Sequence, residues 1–128
     1  MSMIKFKVTS TITAVIAFTL CLVLILIPEV LFMLFHIDEN SSAFFMGRRA
    51  AMLFLGISVF SWFGRNAKHS ESRQAICFSL SISMFALAFL GSAEYLRGFA
   101  GIGILLAVIT EATLAFMYFK IWLRCKNT

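Results

Sequence analysis

Glu111 is the side chain best placed to do chemistry, because it is a carboxylate inside an otherwise apolar run that extends over 99–123. An acid at the centre of a membrane helix costs about 2.5–3.5 kcal/mol to insert. It must therefore face a partner or keep its proton. Counted from a helix start at Phe99, Glu111 lies about 16 to 18 Å along the axis, near mid-membrane. Gly103, Ala107 and Ala115 stand at spacings of four from it. They share its helix face and would let a neighbouring helix approach closely.

A set of further charges falls on the same side of the membrane. Arg48 and Arg49 precede the apolar run 50–63, Glu94, Tyr95 and Arg97 close the run 75–96, and Glu29 follows the first span. Long arginine side chains bridge several ångströms of depth by snorkelling. The expectation is that Arg48 or Arg49 pairs with Glu111, with Glu94 and Tyr95 completing an outward-opening polar pocket. Such a pocket would take a small anionic or amphipathic ligand or a lipid, and Glu111 would exchange a proton. Two other readings stand beside it. The charges could only fix helix register and packing, or they could dock a helix of a partner membrane protein. For Glu94 and Arg97 alone, ordinary interfacial charge is the simpler account.

The remaining reactive residue types carry less. Cys21, Cys77 and Cys125 show no CxxC or other paired spacing, so free thiols are expected and neither metal nor redox chemistry. His36 has Asp38 and Glu39 close by, but without a second histidine this reads as a solvated loop. No span contains a histidine, so haem ligation within the bilayer has no support. Ser79, Ser81, Ser83 and Ser92 lack a neighbouring base and are expected to make interhelical hydrogen bonds. With no nucleophile-base pair, no metal set and no cofactor motif, the chain is not expected to be an enzyme.

Positioning these residues falls to helices that the composition places in a bilayer. Of 128 residues, 61% are hydrophobic and 13% charged, more apolar surface than a soluble domain of this length can bury. The sequence divides into one transmembrane domain with spans at about 9–27, 43–64, 75–96 and 99–123, an all-α four-helix bundle. Pro28 and Glu29 suit the first turn of a new helical piece, so 30–35 is expected either as a bent continuation of the first helix or, preferably, as a short interfacial helix. Ser41 or Ser42 would cap the next helix, and a tight turn is expected at Arg97-Gly98. The first span has no small-x-small cleavage pattern and is expected to remain attached.

The net charge of +5 does not indicate nucleic acid. Eight of the eleven Lys and Arg residues, Lys5, Lys7, Arg65, Lys68, Arg73, Lys120, Arg124 and Lys126, lie at one side of the spans. Arg48, Arg49 and Arg97 lie at the other. The positive-inside rule then puts both termini in the cytoplasm, with Trp62 and Trp122 at the same interface.

The stretch Pro28-Glu29-Val30-Leu31-Phe32-Met33-Leu34-Phe35, followed by Arg48-Arg49-Ala50-Ala51-Met52-Leu53-Phe54-Leu55-Gly56, resembles small uncharacterised bacterial four-helix membrane proteins loosely akin to the DoxX-like group. The likeness covers the first half of the chain. It implies a bacterial inner membrane and a four-helix bundle, and it brings no established reaction. Partners beyond the lipid bilayer would be a second copy of the chain or another membrane protein.

Overall fold

A computed structural model describes residues 2–125. It contains five helices, α1 (Ser2–Leu26), α2 (Pro28–Phe35), α3 (Ser41–Phe63), α4 (Glu71–Leu96) and α5 (Ile104–Cys125). All but α2 are long and apolar enough to cross a membrane. The fold is an all-helical bundle, as the apolar run lengths require. Lys126, counted among the orienting charges, lies outside the described residues.

Small side chains decide how α1 packs. Thr9, Ser10, Thr13, Ala14, Ala17 and Cys21 are all buried, and their spacing of three or four places them along one side of the helix. Such a face brings backbones close enough for hydroxyl groups to reach across. The Ser58 hydroxyl of α3 donates to the Ala14 carbonyl at 2.8 Å, and the Thr13 and Tyr118 hydroxyls share a hydrogen bond of 2.7 Å between α1 and α5. The Ser81 hydroxyl donates to the Ala115 carbonyl at 3.0 Å, joining α4 to α5. Of the serines expected to bond between helices, only Ser81 does so. Ser92 turns back to the Ala88 carbonyl of its own helix, while Ser79 and Ser83 are exposed.

The extensive interfaces join α4 to α5 and α1 to α3, with a smaller one between α1 and α5. The spans therefore follow the order α3, α1, α5, α4, and α3 has no comparable interface with α4 or α5. Apolar packing is divided along the bundle. Phe6, Cys77, Leu80, Tyr118 and Ile121 fill the end that carries the termini. Met84, Leu114 and Ala115 pack with Ile16 at mid-height. Cys21, Leu24 and Ala51 pack with Leu31 and Phe54 toward the opposite end, called the outer end here.

The outer end is built on chain reversals. Pro28 stands in the first turn of α2, where its missing N–H is no loss. The Phe32 ring packs on Phe44 of α3 at 5.2 Å. Asn40, rather than Ser41 or Ser42, caps α3, its side-chain oxygen accepting from the Ala43 N–H at 2.8 Å. The α2 helix ends on His36 in the left-handed region, φ 60°. The Ile37 N–H returns to the Phe32 carbonyl at 2.8 Å, and the His36 N–H to Met33 at 3.4 Å. This is a Schellman closure, for which glycine is the unstrained residue. His36→Gly is therefore expected to raise stability by about 1 kcal/mol, read as a shift in the unfolding midpoint of the detergent-solubilised protein.

Arg97-Gly98 closes α4 in the same way, with Gly98 at φ 81°. The Phe99 N–H reaches the Glu94 carbonyl at 2.9 Å. The tight turn is as the sequence indicates, but α5 starts at Ile104 and not at Phe99. The segment 99–103 is instead held against the end of α2. The Gly101 N–H donates to the Phe35 carbonyl at 2.8 Å, and a Cβ on Gly103 would collide with the Leu34 carbonyl. Backbone contact with α2 displaces the first turn of the expected helix.

Candidate functional site

Glu111 belongs to the inward face of α5. Leu114, Ala115 and Tyr118, its neighbours at three, four and seven residues, are all buried, and Glu111 itself is partly exposed. Because α5 begins at Ile104, Glu111 lies about 10 Å from the outer end of the helix, shallower than a start at Phe99 predicts. Among the described residues no basic side chain forms an ion pair with it.

Arg48 and Arg49 stand at nearly the same depth, seven and eight residues into α3, but they are exposed. Arg49 lies 5.9 Å from the Phe45 ring of its own helix. The expected pairing of Arg48 or Arg49 with Glu111 is not formed. Common depth is not enough, because α3 packs on α1 while Glu111 belongs to the face that α5 turns toward its own neighbours.

Glu94, Tyr95 and Arg97 do come together, as the closing turn of α4. Glu94 and Tyr95 are partly buried, Arg97 is exposed, and the Arg97 guanidinium lies 6.0 Å from the Phe99 ring. The Glu94 and Tyr95 carbonyls are taken up by the helix closure, the Tyr95 carbonyl accepting from the Gly98 N–H at 3.1 Å. Glu29 is exposed in the first turn of α2. The six charged candidates are thus spread over four helices around the outer end. A groove runs between Val15, Phe18 and Thr19 of α1 and Ser58, Val59 and Trp62 of α3, and none of the candidate residues lines it.

The most deeply buried charge is one that the sequence pattern assigns to membrane orientation. Arg73 is 1% exposed. Its guanidinium lies 5.0 Å from the Phe6 ring, and donates to the Cys125 Sγ at 3.2 Å and to the Ala67 carbonyl at 3.4 Å. Its Nε has no acceptor. The sequence does hold a signal for this burial. Arg73 begins the stripe Cys77, Leu80, Ser81, Met84, Ala88 and Gly91, spaced by three and four, which is the face α4 buries.

Chemically, the site offers recognition by charge. Among the described residues no group of three or more His, Cys, Asp and Glu side chains could hold a metal ion, and the three cysteines are buried outside any disulfide. His36, Asp38 and Glu39 are exposed in the α2–α3 connection. What the outer end presents is two arginines on a sparsely covered helix and, across the bundle, an acid on an inward face. No family model, curated protein or solved structure matches this chain.

Proposed function

We propose that the chain is an accessory subunit of a bacterial inner-membrane assembly, and that α3 is the surface that receives a helix of its partner. The observation that carries this reading is the one-sided packing of α3. A membrane-spanning helix whose only extensive interface is with α1 leaves most of its circumference for lipid or for protein. Among the described residues its Arg48 and Arg49 form no ion pair, about 10 Å from the start of the helix. Intramembrane charges of this kind are costly and mark functional contacts. A partner helix with a carboxylate at the same depth would satisfy them.

Both termini are cytoplasmic in this reading, from the eight-to-three distribution of Lys and Arg across the spans. The ligand-pocket reading loses its main support once the Arg–Glu pair is gone. A carrier would draw on such a pair to couple ligand and proton, which is why the docking reading is preferred.

The test compares wild-type chain with Arg48→Gln/Arg49→Gln and with Glu111→Gln, each extracted from native membranes in polymer nanodiscs. The wild type is expected to co-purify with a stoichiometric membrane protein. The arginine double variant is expected to fold and localise normally yet lose that partner by about 10-fold or more, the equivalent of 1.4 kcal/mol. Equal recovery of the partner by wild type and both variants would refute the proposal. So would a wild-type chain that is alone in the nanodisc. A Glu111→Gln variant that keeps its partner but loses pH-dependent ligand uptake would return the protein to the carrier class.

A further inference from the structure

At the end of the bundle that carries the termini, cations from two helices are crowded together. Phe6 of α1 shares one core cluster with Tyr118 and Ile121 of α5, which brings Lys5 to the end of α5 that carries Lys120 and Arg124. Arg73 of α4 stands directly behind them, since it touches Phe6 and Cys125, the chain neighbours of Lys5 and Arg124. Among the described residues no carboxylate pairs with any of the four. Glu71, exposed in the first turn of α4, is the one acidic side chain in the segments at this end.

Folding brings these charges together at an electrostatic cost that nothing in the described residues offsets. Like charges held apart would orient the chain equally well, so membrane orientation alone does not account for their convergence. Arg73 adds to the cost. A buried guanidinium with one N–H unsatisfied is stabilised by any anion that settles nearby. The place is specific as well. Trp122 lies between Lys120 and Arg124 in sequence, and its ring packs on Phe78 at 5.1 Å. Indole rings settle at headgroup depth.

We propose that Lys5, Lys120 and Arg124 form a binding site for the phosphate of an anionic phospholipid in the leaflet at this end, with Arg73 strengthening the site from behind without contact. Lys5 approaches from α1 and the other two from α5, so one phosphate diester can be held between two helix ends while its acyl chains run down their outer faces. Basic clusters at helix ends recognise anionic headgroups in this manner. The site is independent of the α3 surface and stands or falls separately from it.

The test uses the full chain in mild detergent, with phosphatidylglycerol or phosphatidylcholine added and retained lipid counted by native mass spectrometry. Wild type is expected to retain phosphatidylglycerol in preference to phosphatidylcholine. Lys5→Gln/Lys120→Gln/Arg124→Gln, with helicity unchanged, is expected to lose roughly fivefold per charge, on the order of 100-fold in all. Lys7→Gln/Lys68→Gln removes two exposed cations from the same end outside the cluster and is expected to stay within about twofold. Arg73→Met is expected to weaken retention by roughly fivefold. Equal retention by the triple variant would overturn the proposal, as would an equal loss in the Lys7/Lys68 control. Millimolar inorganic phosphate that displaced the lipid completely would overturn it too, by assigning the site to the free anion.

Discussion

Gly103→Ala is expected to destabilise the protein by about 3 kcal/mol and to free α2 from the loop between α4 and α5. The added Cβ would meet the carbonyl of Leu34 at a distance no side chain tolerates and crowd its Cβ. The obstacle is backbone, so rotamer adjustment cannot relieve it, and overpacking of this sort costs about 1–3 kcal/mol or more. The loop would have to withdraw from the end of α2, breaking the bond from the Gly101 N–H to the Phe35 carbonyl. Hydrogen exchange is the measurement. Protection of the Gly101 amide should fall steeply in the variant, while amides of α1 and of the lower half of α5 stay protected. Gly56 makes the control, because nothing lies within 4 Å of its Cβ position. Gly56→Ala should be neutral or gain about 1 kcal/mol from helix propensity.

The second large effect is at Arg73, where charge and volume can be separated. Arg73→Ala should cost about 2–5 kcal/mol, since it empties the buried space between Phe6 and Cys125. Arg73→Met keeps most of that volume and removes the desolvated cation. Replacing buried charge by a well-packed apolar side chain is often neutral or stabilising by about 1–4 kcal/mol. The pair should therefore fall on opposite sides of wild type, or nearly so, in urea or dodecyl sulfate unfolding. A similar loss from both would mean that the guanidinium's bonds to Ala67 and Cys125 outweigh its desolvation. A methionine variant that is more stable yet retains less phosphatidylglycerol would show that the charge is kept for binding at the expense of stability.

Run length and punctuation make the spans legible in the sequence. The apolar stretches are long enough to cross, and Pro28 falls where a new helix must start. The inward position of Glu111 is also readable, because spacings of four tie it to Ala115, which is fully buried. Its depth is not, owing to one local event, the docking of 99–103 on α2, which no periodicity reports. The Arg–Glu pairing fails for a different reason. Depth along the membrane normal can be counted from sequence, but which helix stands beside which depends on the fit of faces such as Thr13, Ala14 and Ala17 against Ser58 and Tyr118. Arg73 is easily misread because a cation near a span end suggests a solvated position, although its register continues the buried stripe of α4. The register is the better guide.

The claim that α3 receives a partner helix is tested most directly by placing a photo-crosslinking amino acid at Leu53, which is 73% exposed on α3, and irradiating intact cells. A discrete protein adduct is expected at Leu53 that disappears in the Arg48→Gln/Arg49→Gln background, and no such adduct from Phe89, 79% exposed on α4. Lipid adducts alone at Leu53, or equal protein adducts at both positions, would contradict it.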